Sequence, residues 1–255
     1  MKYYEQFVQL GLFTFADAKK IIGTESSTVN LLQKYIQKGY LTKVRRGLYT
    51  AINLVDKEPV ANKFAIASAL TDTAVVSHHS AFEYYGYSNQ VSYDICVSSD
   101  SKFNSFDFAG FHYHRMKPNI SDGVAREAGG VTVTDIERTV LDGISNFEND
   151  MGFEELIQCI SAVPLLNENK LIRYLSQYNK CFLYQKTGFI LEHLQSELSI
   201  GDAFIQHCKE HSGSSSRYLI KDIPKEHLDF SSKWHLTIPQ NLWQNITGGD
   251  LYADV

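Results

Sequence analysis

Hydrophobic residues recur at helical spacing three times within the first forty residues, and strand-like alternation follows. The pattern predicts three helices and two strands, at residues 2–10, 14–22, 26–38, 40–45 and 48–52. Thr14 is expected to cap the second helix, and Ser26 or Ser27 the third. Arg46-Gly47 forms the turn between the two strands. Three short helices and a basic hairpin are the element order of a winged helix-turn-helix.

Beyond about residue 58 the hydrophobic pattern changes. Short strands and helices alternate to about residue 146, and helical spacing dominates from about 150 to 211. We therefore expect an α+β protein, with a winged helix-turn-helix over residues 1–57. A mixed α/β domain with a helical C-terminal half is expected over residues 58–255.

Composition limits the class of protein. Hydrophobic residues make up 44% of the chain and charged residues 21%, which is typical of a soluble globular protein with a sizeable core. No apolar run reaches the ~18 residues of a membrane span, and the N-terminus lacks the apolar segment of a signal peptide. These features favour a cytoplasmic protein. The cysteines form no C-x-x-C pair, so we expect buried, reduced thiols at Cys96, Cys159, Cys181 and Cys208.

Charge is distributed unevenly along the chain. Residues 1–57 contain nine Lys or Arg and four Asp or Glu, a net charge of +5. The remaining residues contain 15 basic and 25 acidic side chains, a net charge of −10. Positive charge concentrated in a small domain attracts the phosphates of nucleic acid, whereas the acidic remainder repels them. We therefore expect residues 1–57 to be the part that binds double-stranded DNA.

The expected DNA contacts lie on the third helix and on the hairpin. Small hydroxyl and amide side chains on an exposed helix face can reach base edges in the major groove. A basic hairpin suits phosphates or the minor groove. The candidate contacts are Ser27, Thr28, Asn30, Gln33, Lys34 and Gln37 on the helix and Lys43, Arg45 and Arg46 on the hairpin.

Three segments of the chain carry a resemblance to a known family. They are Arg45-Arg46-Gly47-Leu48-Tyr49, then Ser77-His78-His79-Ser80-Ala81 with Gly86 shortly after, and Val133-Thr134-Asp135-Ile136-Glu137-Arg138-Thr139-Val140-Leu141-Asp142. In this order and at these distances they resemble the AbiEi family, the antitoxins of type IV toxin–antitoxin systems that cause abortive infection and phage resistance. The resemblance extends over about residues 5–210.

The resemblance implies two activities. The winged helix would act as a repressor of the protein's own operon by binding inverted repeats at the promoter. The C-terminal domain would neutralise a nucleotidyltransferase toxin encoded beside it, without forming a stable complex. The sequence leaves open a second hypothesis, a stand-alone transcriptional regulator whose C-terminal domain senses a ligand or partner. A third hypothesis is an enzyme tethered to DNA.

The histidines permit two kinds of chemistry that we do not favour. Ser77 beside His78 and His79 suggests a nucleophile and a base, but adjacent helical residues point to different faces, so we expect Ser77 to cap a helix and the histidines to hydrogen-bond Glu137 or Arg138. His112 and His114 share a strand face and could bind zinc together with His78 or His79. We expect ordinary strand histidines instead, with no metal and no cofactor.

The charged residues of the third segment have a structural explanation. Carboxylates at Asp135, Glu137 and Asp142 could act as acids and bases. However, Thr134 and Glu137 match a capping box, Asp135 suits the positive start of a helix, and Arg138 can pair with a carboxylate. We therefore expect a structural motif.

The enzyme hypotheses lack the motifs that they require. A nucleotidyltransferase needs a D-x-D that holds magnesium, and the sequence contains none. The best nuclease-like match is Glu168-Asn169-Lys170, which falls on a predicted helix without strand context. We therefore expect no catalytic residues and no enzymatic activity.

Overall fold

The computed structural model describes residues 2–221, 224 and 227–248. The chain is mixed α+β, and twelve α-helices and three sheets lie in this described part. None of the described helices is long and apolar enough to span a bilayer. The chain divides into two compact units. Unit 1 comprises Met1–Val76, Tyr93–Lys117 and Arg126–Val133, and unit 2 comprises Ser77–Ser92, Pro118–Ala125 and Thr134–Val255. A boundary between independently folding domains at residue 57 stays a prediction.

The first part of unit 1 contains three helices and an antiparallel sheet with the strand order β1-β3-β2. Its elements are α1 (Tyr4–Leu10), β1 (Leu12–Thr14), α2 (Phe15–Ile22), α3 (Glu25–Gln37), β2 (Leu41–Arg45) and β3 (Leu48–Ala51). Phe7 of α1 stacks on Phe13 of β1 with a centroid separation of 4.6 Å, and Leu32 and Tyr35 of α3 close the same apolar core. This core fixes α3 against the sheet.

The predicted N-terminal cap is correct for α2 and wrong for α3. Thr14 caps α2 as predicted, because its hydroxyl accepts a hydrogen bond from the backbone N–H of Asp17. The prediction of Ser26 or Ser27 for α3 is wrong, since the cap is Thr24, which accepts from the N–H of Ser27. Thr24 has the extended backbone that an N-cap requires, whereas both serines already lie in the first helical turn.

A six-stranded sheet follows, with the order β6-β7-β5-β4-β9-β8, and most of its residues belong to unit 1. The elements of this region are α4 (Lys63–Ser68), β4 (Val75–Val76), β5 (Asp94–Ser98), β6 (Phe106–Phe108), β7 (Phe111–Met116), β8 (Val124–Arg126) and β9 (Thr132–Thr134). Strand β5 runs parallel to β7, and β6 runs antiparallel to β7. The alternating sequence pattern over residues 106–115 predicts one strand, but the structure has two, because Ala109 and Gly110 both adopt positive φ and form a tight turn.

Unit 2 is mainly helical and includes a small third sheet with the order β10-β12-β11. Its elements are α5 (His79–Tyr85), α6 (Ile136–Asn146), α7 (Phe153–Ser161), α8 (Glu168–Tyr178), α9 (Cys181–His193), α10 (Gln195–Leu198), α11 (Asp202–His211), β10 (Arg217–Tyr218), β11 (Leu228–Ser231), β12 (Leu236–Pro239) and α12 (Leu242–Gly248). Helices α6, α8 and α11 all contact α9, which is the central helix of this unit.

The sequence pattern predicts a helix over Thr187–Leu198, but α9 begins six residues earlier, at Cys181. Residues 183–191 are buried on every side of the helix, so the sequence lacks the apolar stripe that marks a surface helix. Trp234 packs directly on Gly188 of α9, where a Cβ atom would overlap the indole ring. The Trp234 Nε1–H also donates to Glu192 at 2.8 Å. The segment before β12 is therefore built into the core of unit 2.

Candidate nucleic-acid interface

Helix α3 has one buried face and one fully polar exposed stripe. Thr28, Leu32 and Tyr35 face the core of unit 1. On the opposite side, spacings of four, three and four residues bring four exposed side chains into line along the helix. The side chains of this α3 stripe are Ser26, Asn30, Gln33 and Gln37. Ser26 was missed by the sequence analysis because it was assigned to the helix cap.

Most of the predicted helix contacts are exposed, but Thr28 is not. The exposed predicted residues are Ser27, Asn30, Gln33, Lys34 and Gln37. Thr28 is completely buried, and its hydroxyl donates to the carbonyl of Thr24 at 2.7 Å, so its assignment to a DNA contact is wrong. A hydroxyl satisfied by the preceding helical turn can be buried without losing a hydrogen bond.

The buried face of α3 is rotated relative to the sequence prediction. The helical spacing in the sequence predicts an inner face of Val29, Leu32, Tyr35 and Ile36, yet Val29 and Ile36 are 39% and 37% exposed. They lie along one side of the α3 stripe, because Val29 is four residues before Gln33 and Ile36 is three residues after it. The exposed side of α3 therefore combines amides and a hydroxyl with two small apolar groups.

On the hairpin of β2 and β3, two of the three side chains that were predicted to contact DNA are exposed. Lys43 and Arg46 are exposed, and Gly47 supplies the positive φ that the turn needs. Arg45 is half-buried, and its Nη1 donates to the carbonyl of Leu70 at 3.3 Å. The structure therefore separates the adjacent arginines into one exposed cation and one anchored side chain.

Two lysines of this region form ion pairs with nearby carboxylates, and four other cations do not. Lys19 pairs with Glu25, and Lys20 pairs with Asp17, at 3.3 and 3.1 Å. Within the described chain, no ion pair is formed by Lys34, Lys38, Lys43 or Arg46. These cations lie on α3, just after it, and on the hairpin.

The Ser-His-His segment of unit 2 has partners other than those expected. The cap of α5 is His78, with a positive φ of 55° and no capping side-chain bond, so the prediction of Ser77 as the cap is wrong. The backbone N–H of His79 donates instead to the Asp150 carboxylate at 3.0 Å. The His79 Nε2 lies 2.7 Å from Glu155 and 3.1 Å from Ser88, so the expected bond to Glu137 or Arg138 is replaced by these groups.

Asp135 and Glu137 link the start of α6 to α8. Asp135 rather than Thr134 caps α6 by accepting from the N–H of Arg138, because Asp135 is the residue with extended backbone at that helix start. Lys170 bridges Asp135 and Glu137 at 3.1 and 3.0 Å, and Tyr174 donates to Asp135 at 2.7 Å. Burial, together with the bond to Asp135, raises the pKa of Tyr174 to about 12.

Arg138 and Asp142 form a buried ion pair inside unit 2. The Arg138 Nε donates to Asp142 at 3.3 Å, and its Nη1 donates to the Asp122 carbonyl at 2.7 Å. Tyr178 donates its hydroxyl to the other Asp142 oxygen at 2.5 Å. Burial and the Asp142 charge raise the pKa of Tyr178 well above its ordinary value. No buried side-chain polar atom of Arg138 or Asp142 lacks a hydrogen-bond partner, which is the arrangement expected of a structural network.

Cys181 is the exception among the cysteines, and it borders a cleft in unit 2. Cys96, Cys159 and Cys208 are buried as predicted, but Cys181 is exposed at the start of α9. The cleft has a volume of about 250 Å³. It is lined by Ile172, Ser176, Asn179, Lys180, Cys181, Tyr184, His207 and His211. Burial and the neighbouring His211 lower the pKa of His207, which favours a neutral imidazole in the cleft wall.

Comparison with known proteins shows a shared fold. No family model and no curated protein matches the chain. The RV2827C protein from Mycobacterium tuberculosis, known from a crystal structure, is similar in fold, with a TM-score of 0.63 and 12% sequence identity. The similarity covers 93% of this chain and 89% of that protein. The arrangement of elements therefore recurs over nearly the full length of a protein of very different sequence.

Proposed function

We propose that residues 1–57 form a winged helix-turn-helix that binds duplex DNA, with α3 in the major groove. The α3 stripe of Ser26, Asn30, Gln33 and Gln37 carries this proposal. A line of short hydroxyl and amide side chains on an exposed helix is suited to the donors and acceptors of base edges. The element order of helix, strand, two helices and hairpin, found from α1 to β3, supports it.

The groups around the stripe have matching roles in this proposal. Asn and Gln side chains can bind adenine through two hydrogen bonds, and apolar groups such as Val29 and Ile36 can contact the methyl group of thymine. Lys34 and Lys38 beside the stripe, and Lys43 and Arg46 on the hairpin, would bind phosphates. The net charge of +5 over residues 1–57 would attract DNA to this surface.

The test is binding of the purified protein to DNA from upstream of its own gene, compared with scrambled DNA of equal length. The double variant Asn30→Ala/Gln33→Ala should lose most of the preference for promoter DNA while retaining weak binding to both. Gln206→Ala is the matched control, because Gln206 is an exposed amide on α11 of unit 2. Equal preference in the double variant and the control would contradict the assignment of α3.

We further propose that the protein is an antitoxin that represses its own operon. This proposal is supported by the ordered segments that resemble the AbiEi family, and by the DNA-binding surface proposed above. Expression of the neighbouring nucleotidyltransferase should stop growth, and co-expression of this protein should restore it. The Asn30→Ala/Gln33→Ala variant should still restore growth, because the resemblance assigns antitoxicity to the C-terminal region rather than to α3.

A stand-alone regulator that senses a small ligand is the second candidate. The cleft bordered by Cys181 and Tyr184 is the place where such a ligand would bind, although its volume of about 250 Å³ is below the ~300–1,000 Å³ of a usual small-molecule pocket. The two candidates differ in the growth assay. Promoter binding without rescue of growth would support the regulator and contradict the antitoxin.

A further inference from the structure

We propose that Asp94, Cys96, His112 and His114 form a binding site for a transition-metal dication, with Zn²⁺ as the preferred ion. Metal-ligand atoms of Asp94, His112 and His114 all lie within 4.8 Å of one another. Cys96 Sγ lies 3.4 Å from His114 Nε2. This site lies within unit 1 and is independent of the DNA-binding proposal.

The register of two strands brings the four side chains together. In the parallel pair of β5 and β7, Asp94 is opposite His112 and Cys96 is opposite His114. Alternate residues of a strand share one face, and registered residues of paired strands point to the same side. The four side chains therefore occupy the corners of a rectangle on one face, while Ile95, Val97 and Tyr113 are buried on the other.

The distances fit a four-coordinate ion. Ligand atoms that lie about 2.0–2.3 Å from zinc are about 3.3–3.6 Å apart in a tetrahedron. The separation of Cys96 Sγ and His114 Nε2 already has that value. The three pairs among Asp94, His112 and His114 reach it through small side-chain rotations, since their ligand atoms lie within 4.8 Å of one another, and Cys96 joins them through its contact with His114. Asp94 is exposed and both histidines are half-buried, so an ion can enter from solvent.

His112 has the second partner that metal-binding histidines typically have. Its Nδ1 lies 2.6 Å from the Asp107 carboxylate on β6. A carboxylate at Nδ1 fixes the proton there and leaves the Nε2 lone pair available for a metal. Asp107 thus orients the ring and increases its basicity.

The donor set selects the class of ion. Two imidazoles, one thiol and one carboxylate suit zinc and neighbouring transition metals, whereas Mg²⁺ and Ca²⁺ require oxygen ligands. The sequence offers His78 or His79 as the third zinc ligand beside His112 and His114. The third ligand is instead Asp94, which is 18 residues before His112 and adjacent to it only in the sheet.

The test uses the full chain after removal of metals with a chelator and dialysis. Calorimetric titration with Zn²⁺ should give one ion per chain. His112→Gln/His114→Gln should lower the affinity at least 100-fold, whereas His227→Gln, at an exposed histidine in unit 2, should leave it unchanged. Circular dichroism establishes that the double variant is folded. Absence of binding, or equal affinity in the double variant and the control, would overturn the proposal.

Two further variants test individual roles. Asp107→Asn keeps all four ligands and should lower the affinity about 10–100-fold, the usual effect of losing a carboxylate behind a ligating histidine. Titration with Co²⁺ should give a thiolate charge-transfer band in the near ultraviolet. Cys96→Ser should abolish that band and keep the visible ligand-field bands. A wild-type Co²⁺ complex without the thiolate band would overturn the assignment of Cys96.

Discussion

Arg45 donates a hydrogen bond from its Nη1 to the main-chain carbonyl of Leu70 at 3.3 Å, and so ties the end of β2 to the residues that follow α4. Its sequence neighbour Arg46 is exposed at the hairpin turn. The two arginines look equivalent in the sequence, but they differ in environment. Their substitution should therefore have different consequences.

We expect Arg46→Ala to weaken binding to all DNA sequences and to lower the salt slope of binding by about 1, because one phosphate contact is lost. Arg45→Ala should instead lower the free energy of unfolding by about 1 kcal/mol, the usual value of one hydrogen bond. Fluorescence anisotropy at several salt concentrations and thermal unfolding measure the two effects. Lys102→Ala, at an exposed lysine outside the hairpin, is the control. A reduced salt slope with unchanged stability for Arg45→Ala would contradict this distinction.

The buried ion pair of Arg138 and Asp142 gives a second prediction. Asp142→Ala leaves Arg138 charged and buried and removes the acceptor of Tyr178, so it should lower the free energy of unfolding by about 3–5 kcal/mol. Arg138→Met/Asp142→Leu should cost much less, because no uncompensated charge remains. Unfolding in urea compares them. Equal losses in the single and double variants would show that the charges themselves are not responsible.

The contact of Trp234 with Gly188 gives a third prediction. Gly188→Ala should destabilise unit 2, because the added methyl group overlaps the indole ring of a fully buried tryptophan. The cost should be about 1–3 kcal/mol in urea unfolding. Measured against Trp234→Leu alone, the double variant Gly188→Ala/Trp234→Leu should recover most of the loss caused by the methyl group, because the indole ring that it overlaps is gone. No recovery would mean that the overlap with Trp234 is not the cause.

Lys186 gives a pH-dependent prediction. Burial lowers the pKa of its ammonium to about 8 in the folded protein, against about 10.4 in an unfolded chain. Between these values the unfolded chain keeps a proton that the folded protein has released, so the contribution of Lys186 to stability rises with pH from about 8. Below pH 8 both states are protonated, and the fold carries the cost of the buried charge.

We therefore expect Lys186→Met to stabilise the protein at pH 7 by on the order of 1–3 kcal/mol. The contacts of the ammonium with Phe147 and Phe182 offset part of the burial cost in the wild type. The advantage of the variant should shrink by about 1 kcal/mol at pH 9. Comparing the two proteins at each pH cancels the other titrating groups. A constant difference between pH 7 and pH 9 would contradict the lowered pKa.

Local signals predicted several elements well. The sequence pattern predicts a helix over Glu168–Tyr178, and α8 has these bounds, since Asn167 caps it and its apolar stripe is regular. Thr14 was predicted correctly because one hydroxyl stands alone before its helix. Where several capping residues are adjacent, as at Thr24 and Ser26 or at Thr134 and Asp135, local preference cannot choose among them. Packing decides which residue takes the extended backbone.

Contacts between segments that are far apart along the chain could not be predicted from the sequence. The buried face of α3 depends on the fit of Thr28 and Leu32 against the core, and periodicity alone places Val29 equally well. The pairing of Asp94 with His112 depends on the register of two parallel strands, which a single sequence does not specify. From the sequence, residues of both candidate sites can thus be assigned to helices and strands, but which side chains lie together in space cannot be predicted.

The length of the α3 stripe limits how much sequence one copy of this helix can read. Ser26 and Gln37 are eleven residues apart, which is about 16 Å along a helix and about five base pairs at ~3.4 Å each. A given sequence of five base pairs recurs by chance roughly once in every thousand base pairs, far too often to distinguish one promoter in a genome. If α3 binds DNA as proposed, recognition of a single promoter requires two such five-base-pair sequences at a fixed separation, each bound by one copy of the helix. The specificity would then depend on the spacing between the two sequences as much as on the identity of their bases.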